Sequence, residues 1–250
     1  MAYNHKVELS KPERFVGGHR LCSGCGAGIL SRAVTRALDE KDKAVICNAT
    51  GCLEVSSFLY PFTAWEDSYI HSAFENAAAT CSGVEAAYLA LKRRGKIDDT
   101  YKFLVLGGDG GTYDIGFQSL SGAMERGHDM VYFCYDNEAY MNTGIQSSSS
   151  TPMGASTTTT PAGKLTPRKD LIAIAVAHRI PYAASASVAN IPDLRMKVQK
   201  ARDTAGPSLI HVHAPCPTGW GYPPAKSIEV CRAAINTGAW VLYEVEGGRT

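Results

Sequence analysis

The sequence comprises 250 residues, of which 45% are hydrophobic, and its formal net charge is +1. This length can bury one sizeable core, and the scattered charges indicate neither a nucleic acid nor an anionic membrane as a partner. No apolar run approaches the roughly 20 residues of a membrane span, and the polar N-terminus lacks the apolar core of a signal peptide. We therefore expect a cytoplasmic protein whose eight cysteines are thiols or metal ligands rather than disulfides.

The first hundred residues are predicted to alternate between helix and strand. Residues 1–20 are predicted as an irregular arm, and residues 21–28 (LCSGCGAG) as a Cys-x-x-Cys turn that leads into a helix at 29–38. A buried strand at 43–48 ends in the turn ATGC. Residues 53–69 are rich in aromatic side chains without clear periodicity, and a long helix follows at 76–94.

Residues 102–144 carry the strongest local pattern. A predicted strand at 103–106 enters a glycine-rich turn around Asp109, a helical segment ends at Gly127, and a second strand at 130–135 ends at Asp136-Asn137. This is a β-α-β unit whose two strands should be parallel neighbours, so Asp109 and Asn137 leave the sheet at the same carboxyl edge. Open α/β sheets bind ligands at that edge.

The rest of the chain continues the alternation. Residues 145–164 hold runs of serine and threonine; a flexible linker is the alternative, but we favour an ordered active-site or interface loop, because the segment begins at the predicted ligand edge. A helix at 168–178, a strand at 182–186, a helix at 191–204 capped by Asn190 and a strand at 208–213 follow. Without a repeat or a linker, residues 1–250 are predicted as one α/β domain with a doubly wound, mostly parallel sheet and helices on both faces.

Asp109 and Asn137 suggest the ligand that this edge binds. Glycines let backbone N–H groups approach a phosphate closely, and a carboxylate among them requires a hard cation between the two negative charges. Carboxylate and amide oxygens suit Mg²⁺, whereas the alternative is a glycine-rich turn with a helix-capping Asp. The pair resembles the diphosphate-binding motif of thiamine diphosphate enzymes, in which a backbone carbonyl two residues after the Asn, here that of Ala139, also holds the metal.

The cysteines fall into two classes. Four lie within predicted strands or helices, where burial as small hydrophobes is expected: Cys47, Cys81, Cys134 and Cys231. Four lie in turns at strand or helix ends: Cys22, Cys25, Cys52 and Cys216. Four thiolates at one point suit either structural Zn²⁺ or an iron–sulfur cluster, whereas a thioredoxin-type redox pair would leave two of them unexplained.

Six motifs occur in one order: CSGCG at 22–26, NATGC at 48–52, HSAFENAAA at 71–79, GDGGTYDIG at 108–116, DNEAYMNTG at 136–144 and GPSLIHVHAPC at 206–216. Together they resemble the thiamine diphosphate-binding β subunit of the 2-oxoacid:ferredoxin oxidoreductases, the pyruvate:ferredoxin oxidoreductase type in particular, over most of residues 15–220. The resemblance implies thiamine diphosphate, Mg²⁺, and a 4Fe–4S cluster held by the four turn cysteines.

The resemblance also implies roles for individual residues. The Mg²⁺ ligands would be Asp109, Asn137 and Ala139, and Asn142 is the candidate for contact with the reacting end of the substrate. The expected cofactor-binding positions are Gly51, Cys52, Phe74, Gly108, Asp109, Gly110, Gly111, Asn137, Asn142 and Thr143. The implied substrate is a small 2-oxoacid, pyruvate first; oxalate and branched-chain or aryl 2-oxoacids stay open, because residues 147–150 (SSSS) replace a more basic sequence.

The expected partners follow from what this chain lacks. Activation of the cofactor needs a carboxylate near its aminopyrimidine; Glu54 and Glu75 lie at the wrong edge, and Asp114 and Glu138 lie too near the Mg²⁺ motif. The resemblance implies that a pyrimidine-binding, α-type subunit supplies this glutamate, that a ferredoxin-like subunit carries electrons on to ferredoxin, and that coenzyme A takes the acyl group. Residues 58–69 and 145–164 are the candidate interface; the alternative is a self-sufficient homodimer.

Two other functional classes share part of the pattern. A non-redox thiamine diphosphate decarboxylase or transferase component would use Asp109 and Asn137 but has no need of four turn cysteines. A zinc-stabilised binding module would explain the cysteines but not the Asp–Asn pair. Bound iron distinguishes the oxidoreductase from both.

Overall fold

The computed structural model describes residues 4–250, and seven of the strands in this range form one sheet. The strands are β1 (Lys43–Ala49), β2 (Phe58–Leu59), β3 (Phe62–Thr63), β4 (Ser68–Ser72), β5 (Tyr101–Gly108), β6 (Val131–Asp136), β7 (Tyr182–Ser187), β8 (Ser208–His213) and β9 (Glu244–Glu246). The sheet order is β4-β1-β5-β6-β8-β7-β9, with every pair parallel except β7 and β9. The predicted fold class and the parallel pairing of β5 with β6 are confirmed.

Helices cover both faces of this sheet. They are α1 (His5–Ser10), α2 (Gly26–Ala37), α3 (Cys52–Ser57), α4 (Ala77–Arg93), α5 (Phe117–Glu125), α6 (Leu171–Ala177), α7 (Ile191–Asp203), α8 (Pro217–Trp220) and α9 (Ser227–Asn236). One core cluster joins α2 and α7 to one face of the sheet, and a second joins α4, α5 and α6 to the other. Both faces are therefore covered by helices and shielded from solvent, which is why the central strands β6 and β8 are buried along their whole length.

The connections place a crevice between β1 and β5. After β1 the chain passes through α3 to β4, on one side of β1, whereas after β5 it passes through α5 to β6, on the other side. The loops that leave these two neighbouring strands therefore diverge at their carboxyl ends. This is the topological switch point at which open α/β sheets bind ligands.

Three predicted elements differ from the structure. The arm is not irregular throughout, since α1 forms where Asn4 accepts a hydrogen bond from the Lys6 amide at 3.0 Å; a helix of six residues is too short to leave a periodic pattern. Residues 1–3 of that predicted arm lie outside the described residues. After Gly110 the chain first makes a π-helical turn, Gly111–Ile115, and the predicted helix at 168–178 starts only at Leu171, because Asp170 caps it.

Residues 145–164 form an ordered loop rather than a flexible linker, as predicted. Ser148, Ser150 and Thr151 are buried, and the Lys164 ammonium donates hydrogen bonds to the carbonyl oxygens of Ser148 at 3.0 Å and Thr151 at 2.7 Å. Within residues 4–250, no helix is both long enough and apolar enough to cross a membrane.

Candidate functional site

A narrow cleft opens at the switch point between β1 and β5. It is bounded by the turns that follow β1, β5 and β6. Phe74, three residues before α4, forms one wall. The lining residues are Thr50, Gly51, Cys52, Phe74, Gly108, Asp109, Gly110, Gly111, Tyr135, Asn137, Ala139, Tyr140, Met141, Asn142 and Thr143. The structure thus brings together all the residues that the sequence predicts for cofactor binding, because each directly follows a strand that ends at this edge or lies beside one.

Three oxygen atoms converge inside this cleft. The Oδ1 of Asn137 faces the Oδ1 of Asp109 at 3.1 Å and the carbonyl oxygen of Ala139 at 2.8 Å. Without a cation the Asn137 amide can turn its NH₂ group to the same point and donate to both oxygens. Octahedral Mg²⁺ with bonds of about 2.0–2.1 Å places adjacent ligand oxygens about 2.9 Å apart, so these three residues fit such an ion.

Asp109 is deeply buried in the cleft. Its side chain is 1% exposed, and burial, followed by the nearby Asp136 carboxylate, raises the pKa of Asp109 well above its usual range. Within residues 4–250, Asp109 accepts hydrogen bonds from two uncharged donors, the Ser148 hydroxyl and the backbone N–H of Asn137. A buried carboxylate without a positive partner is unfavourable unless a cation or a proton neutralises it.

Glycines bring the backbone close to the site. A Cβ atom added to Gly110 would lie 2.2 Å from the Tyr140 ring, and one added to Gly111 would lie 3.1 Å from the Phe74 carbonyl oxygen. Tyr140 also donates a hydrogen bond to the Gly110 carbonyl oxygen at 3.0 Å. Only glycine leaves room for this packing, so the turn after β5 presents its backbone rather than side chains to the cleft.

A serine run, whose role the sequence pattern does not reveal, supports the site from behind. The hydroxyl of Ser148 donates to Asp109, that of Ser149 to Asp114 and that of Ser150 to Asp136. Three successive residues therefore bind three carboxylates at the same sheet edge. The spacing of the serines holds no periodic signal, and only the position of the run just after Asn142-Thr143 points to this role.

A buried polar network behind Asn137 was also missed. The Nε2 atom of His211 lies 2.6 Å from the Asp136 carboxylate and 3.0 Å from the Tyr113 hydroxyl. Burial is the largest single effect and raises the pKa of Asp136, but the hydrogen bond and charge of His211, together with Ser150 and Arg168, outweigh it, and the pKa of Asp136 is lowered. Asp136 in turn accepts a hydrogen bond from the Glu138 amide at 2.9 Å, which fixes the turn that carries Asn137 and Ala139.

The four predicted cluster cysteines lie close to one another beside the cleft, whose wall includes Cys52. Burial and, to a lesser extent, the negative charges that the other three thiolates would carry raise the pKa of Cys52 to about 12. The remaining four cysteines are buried in strands and helices, as predicted.

The loops that hold these thiols pack tightly. The Gly26 amide donates to the Pro215 carbonyl oxygen at 3.0 Å, so the Cys-x-x-Cys turn lies directly against the end of β8. Cys216 accepts a hydrogen bond from the Gly219 amide at 3.2 Å, and the Thr218 hydroxyl lies 3.7 Å from the Sγ of Cys22. Burial raises the pKa of Cys25 and Cys216, which a bound metal would offset by holding the thiolate.

Among residues 4–250, no group of three or more His, Cys, Asp or Glu side chains is arranged to hold a single metal ion.

Helix α8 connects the thiols to the oxygen site. It begins after Cys216 and ends at Trp220, whose indole Nε1 donates to the Asn137 carbonyl oxygen at 2.9 Å. A Cβ atom added to Gly219 would lie 2.2 Å from the Met141 sulfur. The segment that carries one thiol therefore rests on the loop that carries Asn137.

Asn142 and Thr143 lie exposed at the mouth of the cleft. Thr143 donates to the Gln146 side chain at 2.6 Å. Their position at the open end is consistent with contact to a ligand that enters the cleft, because neither side chain is packed into the core.

Comparison with known proteins agrees with this geometry. Residues 49–212 match the family described as thiamine pyrophosphate enzyme, C-terminal TPP binding domain. The chain is 55% identical over 249 residues to pyruvate synthase subunit PorB of Methanocaldococcus jannaschii, covering 97% of this chain and 83% of that protein. It is 47% identical over 249 residues to ketoisovalerate oxidoreductase subunit VorB of Pyrococcus furiosus, covering 98% and 79%.

A solved structure of 2-oxoglutarate:ferredoxin oxidoreductase from Magnetococcus marinus shares the fold, with a TM-score of 0.70 and 23% identity over 86% of this chain and 70% of that chain. Fold, cleft and family match together define a thiamine diphosphate-binding domain. More narrowly, the chain belongs to the 2-oxoacid:ferredoxin oxidoreductases, as their thiamine diphosphate-binding β subunit. The resemblance found in the sequence is confirmed.

Proposed function

We propose that this chain binds Mg²⁺–thiamine diphosphate and one 4Fe–4S cluster, and that it is the subunit in which the C1–C2 bond of a small 2-oxoacid is cleaved and the electrons leave toward ferredoxin. The observation that carries the proposal is the meeting of two ligand sets at one sheet edge. The oxygen site lies inside the cleft, and of the four thiols Cys52 lines the cleft itself.

The oxygen site has a defined task for each residue. Asp109, Asn137 and the Ala139 carbonyl would hold Mg²⁺, while the glycines after β5 leave the diphosphate close to backbone amides. Ser148 and Trp220 orient the first two of these residues through direct hydrogen bonds. When bound, thiamine diphosphate supplies the electron sink that cleavage next to a carbonyl requires.

The four thiols would hold the cluster: Cys22, Cys25, Cys52 and Cys216. Each is free and lies at the end of a helix or in a turn. A bound 4Fe–4S cluster accepts and passes on single electrons. Because Cys52 lines the cleft, electrons would have only a short distance to travel from the cofactor.

Pyruvate is the proposed substrate, with coenzyme A as the acyl acceptor. The preference rests on relatives named pyruvate synthase subunits at 55% and 52% identity, whereas a relative named for ketoisovalerate is 47% identical. Asn142, exposed at the mouth of the cleft, is the proposed substrate contact. A panel of 2-oxoacids assayed with a viologen dye tests the ranking, and an absence of pyruvate activity in the assembled enzyme would reject it.

The complete enzyme would need an α-type subunit that supplies the activating glutamate. Within this chain Glu138 pairs with Arg168 at 2.8 Å, and Glu54 lies 3.5 Å from the His71 imidazole, so both glutamates lie at the same sheet edge as the Mg²⁺ site. Exposed apolar side chains support an interface here: Tyr60 is 86% exposed, Phe62 75% and Leu165, just after the second proposed segment, 89%. Residues 58–69 and 145–164 are the proposed interface with the α-type subunit and a ferredoxin-like cluster subunit.

The cluster is tested by iron and sulfide analysis and by the visible absorption spectrum of protein prepared without oxygen. Replacing any of the four turn cysteines by Ser should remove iron and bleach the spectrum. Cys231→Ser is the matched control: it is buried in α9, so the change should cost stability and leave the iron in place. Recovery of zinc, or of no metal, in the unaltered protein would contradict the cluster and favour a zinc-stabilised module.

The Mg²⁺ site is tested by titration calorimetry with thiamine diphosphate in the presence of Mg²⁺. Asp109→Ala and Asn137→Ala should each weaken binding while the fold persists. Asp170→Ala is the matched control, because Asp170 is a helix cap that accepts a hydrogen bond from the Ala173 amide at 3.0 Å and its loss should cost about 1 kcal/mol of stability only. If Asp109→Ala behaves like Asp170→Ala, Asp109 is a cap and not a ligand.

A further inference from the structure

The hydroxyl of Tyr135 is buried at the cleft and lacks a hydrogen-bond partner among residues 4–250. The Tyr135 side chain is 2% exposed and belongs to the core cluster on the α2 and α7 face of the sheet, yet its hydroxyl end reaches the cleft wall. An unsatisfied buried hydroxyl costs about 1–3 kcal/mol, so a group that binds here and accepts its proton would recover that energy.

Two glycines make room for this hydroxyl. A Cβ atom added to Gly51, at the end of β1, would lie 2.6 Å from the Tyr135 oxygen, and one added to Gly108, at the end of β5, would lie 3.5 Å from it. Gly51 directly precedes Cys52, so the hydroxyl lies against the backbone that carries this thiol. The space around the Tyr135 oxygen is therefore enclosed on the side of the thiols.

Cys52 has no side-chain hydrogen-bond donor among residues 4–250. By contrast, Cys216 accepts from the Gly219 amide at 3.2 Å, and the Thr218 hydroxyl lies 3.7 Å from the sulfur of Cys22. The Tyr135 hydroxyl, which lacks an acceptor, and Cys52, which lacks such a donor, both belong to residues that line the cleft.

Asp109, the other hydrogen-bond acceptor in the cleft, already has two donors, the Ser148 hydroxyl and the backbone N–H of Asn137. The metal-bound diphosphate would lie on the Asp109 side, where the backbone amides of the glycines after β5 would face it. The need for a further donor is therefore greater on the Cys52 side.

We propose that the Tyr135 hydroxyl donates a hydrogen bond to the Cys52 thiolate when this thiolate ligates the cluster, and that the bond raises the reduction potential of the cluster. The inference rests on the proposed cluster function. Hydrogen bonds to the sulfurs help to set cluster potentials, and a donor stabilises the reduced cluster more because it carries more negative charge. Tyr135 is thus a tuning residue for electron transfer, not a ligand.

The test is Tyr135→Phe, which removes one oxygen atom and keeps the ring that fills the core. A redox titration followed by electron paramagnetic resonance should give a lower midpoint potential than that of the unaltered protein, with unchanged iron content and unchanged Mg²⁺–thiamine diphosphate affinity. Tyr132→Phe is the matched control: Tyr132 lies on the same strand but on the opposite face, and its hydroxyl lies 3.0 Å from that of Thr112. Its midpoint potential should not move.

An unchanged midpoint potential in Tyr135→Phe would overturn the inference, and weaker cofactor binding with the same potential would assign the hydroxyl to the cofactor instead. If Tyr135→Phe does not retain a cluster, 3-fluorotyrosine in place of Tyr135, whose more acidic hydroxyl is the stronger donor, decides: a raised midpoint potential supports the bond, and an unchanged potential refutes it. Failure of the unaltered protein to bind iron would instead refute the proposed function, so the two failures are distinguishable.

Discussion

Gly26→Ala should separate the Cys-x-x-Cys turn from the other two thiols. The added Cβ atom would lie 2.4 Å from the carbonyl carbon of Ala214 and 2.6 Å from the Cδ of Pro215. Carbon atoms in contact lie about 3.5–4.0 Å apart, so the turn would have to retreat from the end of β8 by about 1 Å. Both obstacles are backbone or proline ring atoms, which cannot rotate away.

The expected cost follows from this overlap. Overpacking a tight site costs about 1–3 kcal/mol, which for a chain of this size lowers Tm by about 2–12 °C. Because the retreat moves Cys25 away from Cys216, iron retained after anaerobic reconstitution should fall as well. Thermal unfolding of the apoprotein measures the first effect, and iron analysis measures the second.

Gly83→Ala is the matched control for Gly26→Ala. Gly83 is exposed within α4, and a Cβ atom there would meet nothing within 4 Å. Alanine in a helix interior is favoured over glycine by about 0.5–1 kcal/mol, so this variant should be slightly more stable and keep its iron. If Gly26→Ala matches the unaltered protein in both Tm and iron, the turn does not pack on β8 as described.

Three further outcomes are expected. Trp220→Phe removes the hydrogen bond to the Asn137 carbonyl and should weaken Mg²⁺–thiamine diphosphate binding in titration calorimetry by about 1 kcal/mol, whereas Trp240→Phe, which loses a bond to the Ala186 carbonyl at 2.9 Å, should not. Burial lowers the pKa of His213 to about 4, so between about pH 6.5 and pH 4 the unfolded chain binds one proton more than the folded chain. The unfolding free energy should therefore decrease as the pH is lowered through this range, by up to about 1.4 kcal/mol per pH unit. Chemical denaturation of His213→Gln should show a flatter dependence on pH. Expressed without partners and reconstituted, the chain should bind iron and cofactor without 2-oxoacid-dependent dye reduction; turnover near the rate of the full complex would show that it supplies its own activating carboxylate.

The sequence predicted the central sheet well because its signals are local. Apolar runs bounded by glycine or Asp-Asn mark β5 and β6, and the rule that such strands pair in parallel places Asp109 beside Asn137. Cys47 and Cys134 were predicted to be buried for the same reason, since each lies within an apolar run. Errors fell on short or capped segments, such as α1, whose six residues leave no period to detect.

Contacts between distant segments were out of reach. Asp136 binds His211 across 75 residues, and Ser148 binds Asp109 across 39. Neither a serine run nor a single histidine indicates in the sequence which carboxylate it will hydrogen-bond, because the pairing depends on the order of strands in the sheet. The same holds for Tyr135, whose hydroxyl meets the backbone beside Cys52 only because β1, β5 and β6 are successive neighbours.

By itself, the sequence determined the sheet edge, the residue types gathered there and the family to which the chain belongs. Strand formation, glycine turns and ligand chemistry depend on neighbours within a few residues, so a linear pattern records them. Only the tertiary structure decided that the four turn thiols come together, that Trp220 joins the Cys216 segment to the Asn137 loop, and that the buried Tyr135 hydroxyl has no hydrogen-bond partner within residues 4–250. Those features arise from packing between elements that are far apart along the chain, so no local sequence pattern records them.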